Sequence, residues 1–79
     1  MMQVTVFPNP SVSDFKLSVI TAAKEVIHVR IMDMQGREYK GFVVMPYQTT
    51  NVGSDLKAGA YMLEVRQGNE VKTTKLIKF

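Results

Sequence analysis

Apolar and polar residues alternate in short runs along the whole chain. In the clearest run, Tyr61, Leu63 and Val65 occupy every second position of residues 60–67. Successive side chains of a strand point to opposite faces of its sheet, so a period of two predicts half-buried β-strands. No segment has the period of an amphipathic helix. The pattern predicts seven strands, the fifth with the weakest alternation, at residues 3–7, 14–20, 25–33, 37–45, 47–54, 60–67 and 70–79.

Residues that favour turns separate these runs. Prolines close the first and the fourth strand, because proline fixes φ and lacks the donor that a ladder needs. Residues 33–36 predict a hairpin turn in which the Asp33 side chain bonds to the backbone and Gly36 takes a positive φ. Gly68-Asn69 predicts a two-residue hairpin turn of type II′.

The segment before the sixth strand indicates the fold more specifically. Leu56 and Gly59 precede Tyr61, as in the tyrosine corner of immunoglobulin-like folds, where the phenol hydroxyl bonds to the backbone a few residues upstream. Strands at intervals of roughly 8–12 residues favour an antiparallel sandwich or barrel. A closed barrel fits less well, because prolines mark two strand ends. The prediction is an all-β, immunoglobulin-like antiparallel β-sandwich of about seven strands.

Length and composition narrow the class of protein. The chain has 79 residues, 46% of them hydrophobic, and no cysteine. This length predicts one domain, residues 1–79, with a small core and with Met1 and Met2 at a mobile start. The lack of cysteine excludes disulfides and thiolate metal sites. No apolar run approaches the ~20 residues of a membrane span and no signal peptide is visible, so no direct membrane insertion is expected.

The net charge of +3 is unevenly placed. Residues 1–55 carry equal numbers of bases and acids, whereas residues 56–79 carry five bases and two acids. The simplest interpretation is that lysines keep an exposed edge strand soluble, and the alternative is that they attract an acidic partner. Nucleic-acid binding is not expected, because the aromatic residues do not interleave with the terminal lysines.

The residue types needed for catalysis do not converge in the sequence. The single histidine, His28, lies within a predicted strand, opposite its apolar face and without a nucleophile motif nearby. Asp14, Asp33 and Asp55 each lie near a turn, where aspartate bonds to local backbone, and a calcium site in the loops is the minor alternative. The prediction is a non-enzymatic module without cofactor or metal.

Four motifs follow one another over residues 7–78. They comprise Phe7-Pro8-Asn9-Pro10, then Asp33, Gly36 and Arg37, then Leu56, Gly59, Tyr61, Leu63 and Val65, and finally Lys75-Leu76-Ile77-Lys78. In this order they resemble the C-terminal sorting domain of proteins exported by the bacterial type IX (Por) secretion system. The departures are small, since phenylalanine replaces the commoner tyrosine before the first proline and Phe79 follows the last lysine.

The resemblance implies an export signal. In that family the domain ends a larger protein, crosses the periplasm, is recognised by the outer-membrane translocon and is cleaved by a surface sortase-like protease, which leaves the cargo on the cell surface or secreted. We therefore expect a domain excised from a larger secreted protein, with a covalently linked N-terminal cargo domain. A partner can extend its terminal strand by strand addition. The residues expected to carry recognition are Lys72, Lys75, Leu76, Ile77, Lys78 and Phe79.

A function of another class stays open at this point. The sandwich can instead be an accessory fibronectin-like or carbohydrate-binding module of a secreted enzyme. A sugar-binding face displays two or three exposed aromatic residues on one sheet, and the sequence does not clearly offer them. An unguarded edge strand also allows a weak edge-strand dimer.

Overall fold

The computed structural model describes all 79 residues and contains seven β-strands and no helix. They are β1 (Gln3–Phe7), β2 (Phe15–Ile20), β3 (Ile27–Asp33), β4 (Glu38–Val44), β5 (Thr49–Val52), β6 (Gly59–Gln67) and β7 (Glu70–Lys78). One sheet has the order β1-β2-β5 and the other the order β4-β3-β6-β7, with every pairing antiparallel. The two sheets pack together as a small β-sandwich, which confirms the predicted fold class.

All seven predicted strands occur, and no strand end differs from its predicted position by more than two residues. The prediction began β3 two residues too early, at the crossing from the three-stranded to the four-stranded sheet. Gln67 holds this crossing, since its Nε2 donates to the carbonyl oxygens of Ala23 (3.2 Å) and Glu25 (2.9 Å). Its Oε1 accepts a hydrogen bond from the Thr21 hydroxyl at 2.6 Å. Because a side chain satisfies these backbone groups, the ladder begins only at Ile27.

The core lies between the sheets and uses the alternating positions that the sequence predicted. The expectation of a mobile start is wrong for Met2, whose side chain is only 1% exposed. Its backbone nitrogen donates to both carboxylate oxygens of Glu70, at 3.0 and 3.1 Å. The other fully buried apolar side chains are Phe15, Leu17, Val19, Ile27, Val29, Ile31, Leu63, Val65 and Leu76.

The two predicted hairpin turns are confirmed. Asp33 Oδ1 accepts hydrogen bonds from the backbone N–H groups of Gln35 (2.9 Å) and Arg37 (2.8 Å). The backbone bond from Arg37, more than its guanidinium, holds the pKa of the Asp33 carboxyl below its usual value. Gly36 has a φ of 88°, which residues with a Cβ adopt at a cost. Gly68 has a φ of 58° and the next residue keeps a negative φ, consistent with type II′.

Tyr61 forms the predicted tyrosine corner. Its hydroxyl donates to the backbone carbonyl of Lys57 at 2.7 Å. The Tyr39 ring meets the Tyr61 ring edge to face, with centroids 5.5 Å apart. Burial raises the pKa of the Tyr61 phenol. Tyr61 is therefore a structural residue that fixes the entry to β6.

Candidate recognition surface on the C-terminal strand

The C-terminal strand β7 lies at one edge of the four-stranded sheet, and β6 is the only strand that pairs with it along its length. Its backbone groups alternate between those that face β6 and those that face the free edge. The bonds made by Lys75, Ile77 and Phe79 to residues outside the sheet show that the odd-numbered residues face the edge. By the same alternation, the N–H and C=O groups of Val71 and Thr73 also face the free edge of β7.

The segment of residues 8–11 covers the C-terminal half of this edge. The Asn9 side chain bonds β7 twice, since Nδ2 donates to the Lys75 carbonyl (2.7 Å) and Oδ1 accepts from the Ile77 N–H (3.0 Å). Ser11 continues the contact as a parallel bridge to β7. Its N–H donates to the Ile77 carbonyl (3.0 Å), and its carbonyl accepts from the Phe79 N–H (2.8 Å). The first and last motifs of the sequence are thus hydrogen-bonded to each other.

Lys78 and Leu76 do not lie on the surface. Leu76 is fully buried in the core and Lys78 is only 6% exposed. The Lys78 ammonium donates to the carbonyl of Gly53 at 2.6 Å, which ties the end of β7 to the loop after β5. The interpretation of Lys78 as an exposed charge that attracts a partner is therefore wrong. Its aliphatic stem is long enough for the inward-facing position at the end of the strand.

The other proposed recognition residues remain accessible. Lys72 and Lys75 are exposed, Ile77 is half-buried, and Phe79 is 70% exposed. Neither Lys72 nor Lys75 forms an ion pair. The structure therefore divides the six proposed residues into four with accessible side chains and two that hold the strand in place.

Most other basic side chains already have a partner. Arg30 binds Glu64 through two hydrogen bonds, Nε to Oε1 at 2.9 Å and Nη2 to Oε2 at 3.2 Å. The Arg30 guanidinium lowers the pKa of the Glu64 carboxyl. Lys40 likewise binds Asp55 at 2.9 Å, and this bond lowers the pKa of that carboxyl. The unpaired positive charge of the C-terminal part is therefore concentrated on a few exposed lysines.

The four motifs meet at one end of the sandwich. The turn that Asp33 begins and the strand that Tyr61 enters are adjacent, because these two residues pair between β3 and β6. Gly59 pairs with Lys78, which in turn bridges to Ser11. The motif residues thus lie toward the same end of the sandwich as the end of β7. They are Pro8, Asn9, Pro10, Asp33, Gly36, Arg37, Leu56, Gly59 and Tyr61.

The residues considered for catalysis or for metal or sugar binding form no common site. His28 is exposed on the outer face of the four-stranded sheet. Asp33 and Asp55 are engaged in a turn and an ion pair, and no three His, Cys, Asp or Glu residues are grouped to hold a metal ion. Two of the exposed aromatic residues, Phe7 and Tyr39, lie on different sheets and form no common face.

Sequence reasoning missed an apolar groove at the opposite end of the sandwich. It has a volume of about 740 Å³ and lies between residues 21–27 and 43–47. Val43, Met45 and Tyr47 are more than half exposed there, and Tyr47 has a φ of 64°. The apolar run at residues 42–45 was the available signal, but alternation alone does not show which of its side chains are left exposed.

The fold and the position of β7 define a small all-β module with an accessible terminal edge strand. Its sequence assigns it more narrowly: the chain belongs to the family of secretion system C-terminal sorting domains, whose model matches residues 5–79. This is the sorting domain of type IX secretion. Membership implies interaction with the type IX machinery, a linked N-terminal cargo, and export to the cell surface or secretion.

No curated protein matches the chain significantly. The structure contains no helix with the length and apolarity that a membrane crossing requires.

Proposed function

We propose that this chain is a non-catalytic C-terminal secretion signal that directs a cargo across the outer membrane through the type IX translocon. A surface sortase-like protease then cleaves it from the cargo. The observation that carries the proposal is the match of residues 5–79 to the sorting-domain family. The geometry supports recognition through β7, because the first family motif is hydrogen-bonded to the last one along this strand.

Residues 1–79 then act as one domain excised from a larger secreted protein, which passes through the periplasm on its way to the surface. Met2 bonds to Glu70 at the start of β7, whereas Phe79 follows its end. Nine residues of strand separate these points by about 30 Å. A cargo attached before Met1 leaves the C-terminal end of the sandwich accessible to the translocon.

Recognition is proposed to involve Lys72, Lys75, Leu76, Ile77, Lys78 and Phe79 in two ways. The four accessible side chains contact the translocon. Leu76 and Lys78 contribute indirectly, because their burial fixes the path of the strand. Deleting residues 75–79 removes members of both groups, including the buried Leu76 and Lys78, and is expected to unfold the domain, so point variants separate the two contributions.

The test fuses residues 1–79 to a periplasmic reporter in a bacterium with a type IX system. We expect delivery of the reporter to the surface or medium, and loss of delivery in a translocon-deficient strain. The double variant Lys72→Glu/Lys75→Glu should reduce delivery. The matched control is Lys24→Glu/Lys57→Glu. It makes the same change of charge at two exposed lysines that lie outside β7 and form no ion pair. This control should leave delivery unchanged.

A reporter that stays in the periplasm with a folded domain contradicts the proposal. In that case the accessory-module hypothesis gains support, and a carbohydrate-binding screen follows. Cleavage is tested separately, by sequencing the new C-terminus of the delivered reporter in strains with and without the sortase-like protease. An unprocessed fusion at the surface of the competent strain contradicts the cleavage step alone.

A further inference from the structure

Part of the β7 edge has backbone groups without partners. The edge-facing groups of Lys75, Ile77 and Phe79 include four that bond to residues 9–11. The edge-facing N–H and C=O of Val71 and Thr73 and the N–H of Lys75 make no bond to a neighbouring strand or side chain. These five groups form a continuous stretch of open ladder, since Val71 is 39% exposed and Thr73 is exposed.

The surroundings of this stretch fit an added strand. Residues 1–5, which include the start of β1, and residues 72–74 border a groove of about 480 Å³. Residues 9–11 block the edge beyond Lys75, so a partner strand is confined to the half of β7 nearer the β6–β7 turn. Edge strands of this kind accept extended peptides through main-chain hydrogen bonds.

Two lysines give the stretch a charge preference. Lys72 and Lys75 are exposed, form no ion pair, and are three residues apart in β7. Side chains three apart in a strand lie on opposite faces. A partner strand complements both only with acidic residues at the same separation, in the pattern Glu-x-x-Glu, whichever direction it runs. A second copy pairing through the same stretch instead brings four lysines together, which disfavours a dimer.

We propose that residues 71–75 bind an extended acidic segment of the type IX machinery by strand addition, and this rests on the proposed sorting function. The main chain of Val71, Thr73 and Lys75 supplies the hydrogen bonds. Lys72 and Lys75 select the acidic residues. The segment of residues 9–11 sets the limit of the site, because it occupies the remaining edge.

The first test measures binding of the peptide acetyl-Thr-Glu-Val-Thr-Glu-Thr-amide to the 79-residue chain by NMR. We expect saturable shifts of the amide signals of Val71, Thr73 and Lys75. Thr73→Pro removes one edge-facing N–H without removing a bond to β6, and should weaken binding about tenfold. Thr73→Ala retains this N–H and should bind like the unaltered chain. A peptide with lysine in place of both glutamates should bind about fivefold more weakly.

Several results overturn the inference. They are unmoved amide signals of residues 71–75 at millimolar peptide, equal binding by the proline and alanine variants, and equal binding of the acidic and basic peptides. Self-association of the chain that Thr73→Pro abolishes also overturns it, because the edge is then occupied by a second copy. Sedimentation of the unaltered chain detects this case.

The reporter fusion separates this inference from the sorting function. If the unaltered domain delivers the reporter and Thr73→Pro delivers it less than Thr73→Ala does, both proposals are supported. If both variants deliver it equally, only the strand-addition inference fails. If the unaltered domain gives no delivery, the sorting function itself fails, and the peptide titration still decides whether the edge binds acidic strands.

Discussion

Replacing Asn9 tests whether the Pro-Asn-Pro motif acts by fixing the C-terminal strand. Asn9→Ala removes the bonds to the Lys75 carbonyl (2.7 Å) and the Ile77 N–H (3.0 Å). Each such bond contributes about 0.5–1.5 kcal/mol net, and both are solvent-exposed, so the expected loss of unfolding free energy is about 1–2 kcal/mol. In a domain of this size that lowers the melting temperature by about 5–12 °C.

The assay combines thermal unfolding with amide hydrogen exchange. Asn9→Asp is the matched variant, because it keeps an acceptor for the Ile77 N–H but loses the donor to Lys75. Its second carboxylate oxygen would face the Lys75 carbonyl oxygen, and two acceptors repel, so we expect Asn9→Asp to lose at least as much stability as Asn9→Ala while it protects the Ile77 amide better. The Ile77 amide should exchange faster in the alanine variant, while the Thr74 amide, which faces β6, should not change. An unchanged melting temperature and unchanged Ile77 exchange in Asn9→Ala would refute the structural role.

Three further predictions concern the stability of the domain. Lys78→Met should destabilise the chain by about 1–3 kcal/mol in denaturant unfolding, because it leaves the Gly53 carbonyl without its donor, whereas Lys75→Met should stay within about 0.5 kcal/mol. Met2→Ala should cost about 2–4 kcal/mol in the same assay, since that side chain is buried in the core. The pKa values of Asp33 and Glu64 are lowered from 3.8 and 4.5, so their contribution to stability is present above those values and lost as the pH falls through the folded pKa values. We therefore expect the urea midpoint of unfolding to be constant from neutral pH to about pH 5 and to decrease when the pH is lowered below about 4.

Strand positions followed from the sequence because each depends on local pattern. Alternation assigned the faces of β6, and the turn at Asp33 requires only residues within four positions of it. Tyr61 was predictable for the same reason, since its partner Lys57 is close in sequence.

Residues whose role depends on distant contacts could not be assigned from the sequence. Met2 is buried because β1 and the start of β7 come together, a contact between residues 68 positions apart. Lys78 was interpreted as a surface charge because lysine is rarely buried. Lys78 is two residues from Leu76 in β7, so the two side chains lie on the same face, and this was the available signal. Which face of β7 lies inward, however, depends on how the two sheets pack. The same limit applies to Asn9, whose partners are at the other end of the chain.

The strand β7 has to be held in the fold and also has to be open to a partner, and different halves of the strand meet these two requirements. The C-terminal half of β7 is fixed by Asn9, Ser11 and the Lys78 ammonium, so its edge is largely occupied. The preceding half has open backbone groups and lysines without partners. Substitutions in the first half should therefore alter stability and delivery together, whereas Thr73→Pro should alter delivery with little effect on stability. A delivery defect that always scales with stability across both halves would mean that the translocon responds only to whether the domain is folded.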